Sequence, residues 1–156
     1  MRGPPTPPEV RALAAALSES LLFPSAVAVD RADAVPVSHL DALAEAGLYG
    51  LAGPPERGGL GLPESDALAV IELLASGCLT TTFVWLQHHA SVRAVAAAGG
   101  ALQSEWLEPL CTGQRRAGIA FAGLRRPGPP VLSAERGRGG WVLCRQGLRQ
   151  HGHLGQ

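Results

Sequence analysis

The chain has 156 residues, of which 46% are hydrophobic and 17% charged, and its formal net charge is zero. This composition is typical of a globular domain with a core, and it excludes an intrinsically disordered chain, which combines low hydrophobicity with high net charge. The three cysteines, Cys78, Cys111 and Cys144, are far apart and form no CxxC pair. We therefore expect a reducing, cytoplasmic environment, with neither a disulfide scaffold nor a metal site.

The charges are divided unevenly along the chain. Up to Pro109 there are five arginines and twelve acids, whereas from Leu110 onward there are eight arginines and one acid, Glu135. A basic tail is one property of proteins that bind nucleic acid. Single-strand and RNA binders also need aromatic platforms, and none alternates with these arginines. We therefore expect no nucleic-acid partner.

The first two helices are predicted from apolar spacing and from proline. Pro7 and Pro8 suit a helix start, and the helix is predicted to run to about Leu22 and to end at Phe23-Pro24. Its apolar stripe consists of Val10, Leu13, Ala14, Leu17 and Leu21. After a connector over residues 25–36, Ser38 is the predicted N-cap of a second helix that runs to about Ala46.

A loop over residues 50–63 contains five glycines and three prolines. Gly59-Leu60-Gly61 begins the G-x-G-x-x-G pattern of dinucleotide-binding proteins, but Glu64 stands at the third glycine position. A helix is also predicted before this loop, where that pattern requires a strand. The sequence therefore favours a structural turn, in which glycine permits close backbone approach, over a phosphate site.

Three further helices are predicted over residues 64–76, from Thr80 or Thr81 to about Ala98, and over residues 101–110. The first has Leu68, Ile71, Glu72 and Ala75 on its predicted buried face, which Val70, Leu73 and Leu74 widen. The second has Phe83, with Leu86, Ala90, Ala94 and Ala97. Residues 73–92 carry no formal charge but include many polar groups, so they predict a buried helix pair and no membrane span. The chain thus predicts an antiparallel bundle of five to six helices.

The hydrophobic period changes after Gly113, which is predicted to be a left-handed residue beyond a helix end. Trp106, Leu107 and Leu110 lie at helical spacing, whereas Ile119 and Phe121 alternate as in a strand. Short strands are predicted over residues 117–123, 131–135 and 140–143, separated by proline- and glycine-rich turns. The predicted fold is therefore mainly α, with two or three short strands after the bundle.

Two blocks of this sequence resemble the N-terminal part of the acyl-CoA dehydrogenase family. That family has a G-L-x-G-L-x-x-P-x-x-x-G-G-x-G loop, matched here by Gly47-Leu48-Tyr49-Gly50-Leu51, Pro54 and Gly58-Gly59-Leu60-Gly61. It also has a helix that ends in W/Y-L-x-x-L-x-x-G before its first barrel strand. Residues 106–113, WLEPLCTG, match this second pattern and are followed by Gly118-Ile119-Ala120-Phe121. The resemblance covers residues 9–143.

The resemblance implies a flavoenzyme that oxidises the α,β carbon–carbon bond of an acyl-CoA thioester, with FAD as hydride acceptor. Its implied flavin-contacting residues are Phe121, Ala122, Gly123 and Leu124. The family's Thr-Glu-Pro turn is replaced here by Leu124-Arg125-Arg126, so the hydroxyl that would contact the flavin is absent. One of these two arginines is a candidate partner for a pyrophosphate, because a guanidinium fork matches phosphate oxygens.

The resemblance also implies a division into an α-helical domain over residues 1–113, the start of an incomplete β-barrel over residues 114–143, and a disordered or out-of-frame tail over residues 144–156. The family's catalytic glutamate lies in a later helical domain. We therefore assign no catalytic residue, and Glu56, Glu105 and Glu108 are expected to be surface acids. We expect an N-terminal fragment of a homo-oligomeric enzyme, inactive alone.

Two other functions remain open on the sequence. The altered Leu124-Arg125-Arg126 turn fits a flavin-dependent monooxygenase of the same fold, which needs no catalytic glutamate. The basic tail fits a non-catalytic helical interaction module. A metal site is not predicted, because His88 and His89 are adjacent on a helix and point to different faces. His151 and His153 would need further ligands.

Overall fold

The computed structural model describes residues 5–118, 132–137 and 140–145. The chain divides into two units, Met1–Ile119 and Ala120–Gln156. The described part of the first unit is a bundle with six α-helical segments, which are α1 (Pro7–Leu17), α2 (Phe23–Arg31), α3 (Val37–Glu45), α4 (Glu64–Gly77), α5 (Leu79–Ala98) and α6 (Gly100–Cys111). The predictions of a mainly helical fold and of a helix bundle are confirmed.

A π-helical turn over Ser18–Leu22 joins α1 to α2, so the predicted helix end at Phe23-Pro24 is wrong. Proline lacks the N–H that a helix needs, and its ring crowds the preceding turn. The turn before Pro24 is wider than an α-helical one, because the Phe23 N–H donates to the carbonyl of Ser18, five residues earlier. The Ser25 hydroxyl donates to the Leu21 carbonyl at 2.7 Å, so this backbone acceptor next to the proline also has a hydrogen bond.

The continuous helix Pro7–Arg31 has a mean hydropathy of 1.6 and is, by length and composition alone, able to cross a membrane. One of its faces is nevertheless part of the bundle core, since Val10, Ala14, Leu22 and Val29 are buried. Gly77 at the end of α4 lets the π turn approach closely, because a Cβ there would overlap the Ser18 side chain. We therefore interpret this helix as an element of the bundle core, whose apolar residues are explained by packing.

Two predicted helix caps are wrong, although the helices themselves form. Helix α3 begins at Val37 after an extended Pro36, and Ser38 lies within its first turn. Helix α5 is capped by Cys78, whose Sγ accepts the Thr81 N–H at 3.5 Å. Its other end is as predicted, because Gly99 follows Ala98 with a φ of 65°.

The buried face of α4 agrees in part with the prediction, which included Val70 and Leu74, and the buried face of α5 differs from it. Helix α4 buries Val70, Leu74 and Gly77, whereas Leu68 is 53% exposed. Helix α5 buries a largely polar set, Thr81, Thr82, Trp85, His88, His89 and Val92, while Phe83 is 62% exposed. Helix α4 is apolar on nearly every side, so periodicity alone could not select its inner face.

Hydrogen bonds and close contacts between its own backbone groups stabilise the glycine-rich loop between α3 and α4. The Leu60 N–H donates to the Gly50 carbonyl at 2.8 Å, and the Gly59 N–H donates to Pro54 at 3.0 Å. Gly53 and Gly59 lie so close that a Cβ on Gly59 would overlap the Gly53 carbonyl. A short 3₁₀ turn, Leu48–Gly50, precedes the loop in place of a strand, which agrees with the predicted structural turn and excludes a dinucleotide-binding crossover.

The second unit contains an antiparallel hairpin of β1 (Leu132–Gly137) and β2 (Gly140–Arg145), in which Leu132 faces Arg145. Residues 132–135 of the second predicted strand lie in β1, and the third predicted strand, residues 140–143, lies in β2. Residues 119–123 of the first predicted strand, and residues 146–156 of the predicted tail, lie outside the described residues. The barrel and the predicted domain boundaries therefore stay predictions.

Candidate functional site

The end of α6 directs the chain out of the bundle. Gly113 has a φ of 74°, as predicted, and its N–H donates to the Leu110 carbonyl at 3.1 Å. A Cβ at this position would lie 2.7 Å from the Ala44 Cβ and 3.2 Å from the Tyr49 ring. Glycine is therefore required both by the left-handed backbone and by the contact with α3 and the turn that follows it.

Residues 114–118, which follow Gly113, are fastened to the bundle by two arginines. The Arg115 N–H donates to the Pro109 carbonyl at 2.9 Å, and its guanidinium lies 4.2 Å from the centre of the Trp106 ring. The Arg116 guanidinium pairs with Asp41 and lies 5.4 Å from the Tyr49 ring centre. These arginines, which the sequence suggested only as part of a basic tail, fix the path of the segment.

The buried His88 of α5 joins this segment to the end of α6. Its Nε2 lies 3.1 Å from the Leu110 carbonyl oxygen, and its Nδ1 lies 3.2 Å from the Ala117 backbone nitrogen. A carbonyl only accepts and a backbone N–H only donates, so Nε2 carries the proton and Nδ1 is the acceptor. Burial lowers the pKa of His88, in agreement with this neutral tautomer.

We expect His88→Gln and His88→Asn to separate the two hydrogen bonds of this imidazole. The glutamine amide nitrogen reaches the position of Nε2 and keeps the bond to Leu110, whereas the asparagine oxygen takes the place of Nδ1 and keeps the bond to Ala117. Since a neutral hydrogen bond contributes about 1 kcal/mol, the Ala117 amide should exchange roughly 5- to 10-fold faster in the glutamine variant. Hydrogen exchange followed by NMR measures this rate.

The asparagine variant is the matched control and should leave Ala117 exchange close to that of the unmodified chain. Trypsin cleavage after Arg116 should follow the same order, since a released segment is more accessible to the protease. Equal exchange rates in the two variants would show that His88 does not hold the segment.

A cavity of about 740 Å³ opens between the glycine-rich loop, α4, α5 and α6. Apolar side chains form most of its α-helical wall, among them Leu68, Ile71 and Leu86. His89 also lines the cavity and is 4% exposed. Neither ring nitrogen of His89 has a hydrogen-bond partner among the described residues.

The environment of His89 keeps its imidazole neutral. Burial, with smaller contributions from His88 and Arg93, lowers the pKa of His89 to about 3. Its ring packs edge-on against Trp85, with 4.4 Å between ring centres. A buried imidazole without a hydrogen-bond partner costs about 1–3 kcal/mol of folding free energy, so this position is unusual for a purely structural residue.

Stability should fall on acidification because of His89. Between about pH 6.5 and about pH 3 the unfolded chain binds a proton at this residue that the folded chain does not. The free energy of unfolding therefore rises with pH across this window, by at most about 1.4 kcal/mol per pH unit for this one residue, and is lost as the pH falls. Urea unfolding at several pH values measures the slope.

The control for this pH dependence is His89→Leu, which removes the titrating group and replaces it with an apolar side chain of similar size. Carboxylates and histidines distant from this site contribute equally to both proteins, so the difference between the two slopes reports His89 together with its coupling to His88. Identical slopes would contradict the proposed origin of the acid sensitivity.

The sequence was compared with known proteins. A family model described as "Acyl-CoA dehydrogenase, N-terminal domain" matches residues 6–114. The chain belongs to the acyl-CoA dehydrogenase family. A search of the curated proteins finds no match. The family match ends at residue 114, just after Gly113, so the residues that Arg115, Arg116 and His88 hold in place lie immediately beyond the N-terminal domain of this acyl-CoA dehydrogenase homologue.

The four residues with predicted flavin contacts, Phe121, Ala122, Gly123 and Leu124, lie outside the described residues, as do Arg125 and Arg126. The two described arginines that are nearest to them in the sequence are Arg115 and Arg116. Arg115 lies over the Trp106 ring and Arg116 forms an ion pair with Asp41. The described residues contain no set of donors that would hold a flavin, and we derive no chemical step through one.

The remaining residues that the sequence analysis considered are three carboxylates and the two adjacent histidines of α5. Glu105 and Glu108 are exposed on α6, and Glu56 is exposed at the cavity. His88 and His89 are both buried, and their ring centres are 5.5 Å apart. In the described part of the chain, no group of three or more His, Cys, Asp or Glu side chains is arranged to hold a metal ion.

Proposed function

We propose that this chain is the N-terminal part of a flavin-dependent dehydrogenase of acyl-CoA thioesters, which is homo-oligomeric when complete. Family membership over residues 6–114 supports the proposal. The structural observation that supports it is the fastening of residues 114–118 by His88, Arg115 and Arg116, because these residues directly precede the predicted flavin-contacting residues in the sequence.

When bound, FAD supplies the acceptor for the hydride that leaves the acyl chain. The described residues have a positioning role. Gly113 lets the chain leave the bundle, and His88, with the two arginines, restricts the motion of the segment that follows. Binding then costs less conformational entropy, because the segment is already ordered. No described carboxylate is assigned as the catalytic base, so the chain alone is expected to be inactive.

A chimaera tests this function. Residues 5–118 would replace the corresponding part of an active acyl-CoA dehydrogenase. We expect the purified chimaera to retain FAD and its visible absorbance to bleach when acyl-CoA is added without oxygen. The unmodified enzyme, and the same enzyme without its N-terminal part, are the controls. A folded chimaera that loses FAD would contradict the proposal.

A second chimaera that carries residues 5–126 addresses the monooxygenase alternative, which the Leu124-Arg125-Arg126 turn favours. Bleaching by acyl-CoA in this protein as well would support the dehydrogenase. Retention of FAD without bleaching by acyl-CoA, in contrast to the shorter chimaera, would favour the monooxygenase. The intact 156-residue chain should neither reduce a dye with acyl-CoA nor bind nucleic acid with a steep salt dependence.

A further inference from the structure

We propose that the outer face of α5 is an interface between two copies of this chain, which pack antiparallel across it as a weak dimer. This outer face consists of six residues at helical spacing on the side of α5 away from its buried residues, namely Leu79, Phe83, Gln87, Ala90, Ala94 and Ala97. The pairing requires neither flavin nor acyl-CoA, so its failure would leave the proposed dehydrogenase function intact.

The outer face presents apolar surface to solvent. Leu79 is 70% exposed and Phe83 is 62% exposed, and the three alanines are exposed as well. Arg93 is the one formal charge in the whole of α5, although the solvent face of a surface helix ordinarily carries several charged side chains. Contiguous apolar patches on a protein surface mark interaction sites, so this face is suited to contact another protein surface.

The two halves of the outer face differ in size, in a way that fits an antiparallel second copy. The N-terminal half carries the large side chains of Leu79 and Phe83, and the C-terminal half carries the small side chains of Ala90 and Ala94. When Phe83 lies opposite Ala90 of the second copy, Leu79 lies opposite Ala94, because both pairs are centred on the same point, just before Gln87. Large side chains then occupy the spaces over the alanines, whereas a parallel copy would place Phe83 against Phe83.

The charges also favour a second copy in this orientation. Two identical faces bring identical groups together, and the six residues of the outer face carry no charge that would be repelled. Arg93 flanks the face, and the antiparallel pairing separates the two Arg93 residues by about 20 Å along the helices, more than twice the screening length of about 8 Å. Near the centre, the Gln87 amide can both donate to and accept from the Gln87 of the second copy.

The area of the outer face corresponds to a weak dimer. Together with the flanking Val84, which is 43% exposed, it presents roughly 500 Å², on a scale where a whole aromatic side chain presents about 200 Å². Two copies would bury about 1,000 Å² in total, whereas stable complexes bury about 1,200–2,000 Å² and weak, reversible ones less. We therefore expect a dissociation constant on the order of 100 µM.

Sedimentation velocity of the intact chain, over about 10 µM to about 1 mM, tests the association. We expect the mean mass to rise from the 16.1 kDa of one chain toward twice that value, with the midpoint near 100 µM. A mean mass that stays at one chain up to about 1 mM, or that continues to rise beyond two copies, would overturn the proposal.

A matched pair of variants locates the interface. Ala90→Glu places a carboxylate opposite the Phe83 of the second copy and should weaken the dimer at least about 10-fold, because a charge buried without a partner loses its hydration. Ala12→Glu makes the same change at an exposed position of α1 and should leave the dissociation constant within about 2-fold. Both positions are exposed, so both variants should fold. Equal dissociation constants for the two variants would contradict the assignment to α5.

Two single cysteines determine the orientation, in a chain that also carries Cys144→Ser. The remaining native thiols, Cys78 and Cys111, are buried. Gln87→Cys places the two new thiols near the centre and should form a disulfide-linked dimer on mild oxidation. Ala90→Cys should react at least about 5-fold more slowly, because the two equivalent positions lie about 10 Å apart along the antiparallel helices, beyond the Cα separation of about 7 Å that a disulfide can span. Equal reaction of the two variants would show a parallel pair, and no linkage through Gln87→Cys would exclude the α5 interface.

Discussion

Gly59→Ala is expected to lower the free energy of unfolding by about 3 kcal/mol or more. The added Cβ would overlap the backbone carbonyl of Gly53 and lie 2.7 Å from its Cα. Backbone atoms cannot rotate away as a flexible side chain does, so the loop would have to open. Opening would break the bonds from Leu60 to Gly50 and from Gly59 to Pro54. Urea unfolding followed by circular dichroism measures the loss.

Alanine variants of two other glycines distinguish the effect of the steric clash at Gly59 from the effect of backbone strain. Gly99 has a φ of 65° with a ψ of −168° and open space around it, so alanine there should cost about 1–3 kcal/mol, from this nearly glycine-only backbone conformation alone. Gly118 has open space and no positive φ, and Gly118→Ala should change stability by less than about 0.5 kcal/mol. Should Gly59→Ala prove no more damaging than Gly99→Ala, the close approach of the two loop segments would be incorrect.

Trp85→Ala is expected to destabilise the bundle by about 3–5 kcal/mol. Trp85 is 1% exposed and lies in the main core cluster with residues from α1 to α5. Removal of a buried aromatic side chain loses its apolar contacts and leaves a cavity that the neighbouring helices fill only in part. Denaturant unfolding gives the change directly.

The matched control is Phe83→Ala, another aromatic truncation on α5 two residues away. Phe83 is 62% exposed, so its loss should cost no more than about 0.5 kcal/mol. Similar losses in the two variants would mean that α5 is rotated about its axis relative to the position described. The comparison therefore tests the orientation of the helix, which the sequence predicted incorrectly at Phe83.

Local signals predicted much of the helical framework. Gly99 and Gly113 end their helices with positive φ, as expected for residues without a Cβ. The predicted helices over residues 64–76 and 101–110 differ from α4 and α6 by only one residue at each differing end. These features depend on a few neighbouring residues, and a sequence displays such information directly.

The inner face of α5 could not be predicted in the same way. Periodicity assigns apolar residues to the core, and this helix places Thr82, His88 and His89 there while it exposes Phe83. Those polar side chains are buried because of tertiary contacts. His88, for example, bonds Leu110 and Ala117, which are 22 and 29 positions away in sequence. Nothing near His88 in the chain indicates those partners.

For the candidate site as well, local motifs were predictive, whereas features that depend on distant contacts were missed. The motifs around Gly58-Gly59 and Trp106 were sufficient to predict the family, which the match over residues 6–114 confirms. The role of Arg116 was missed, because its partner Asp41 lies 75 residues earlier in the chain. The predicted flavin contacts at Phe121, Ala122, Gly123 and Leu124 stay predictions.

The wide turn at Ser18–Leu22 also bears on how this helix tolerates changes in length. A π turn contains one residue more than the α-helical turn that it replaces, and such a turn is the trace expected of a single inserted residue. Removal of one residue between positions 18 and 22 should convert Pro7–Arg31 into a regular α-helix, with the side chains of α1 and α2 in the same relative orientation, because the wider turn accommodates the additional residue. Val29 would then stay in the interior, whereas Pro24 would lie in an ordinary helical turn, where it is disfavoured. Homologues one residue shorter at this point should therefore carry a different residue at the proline position.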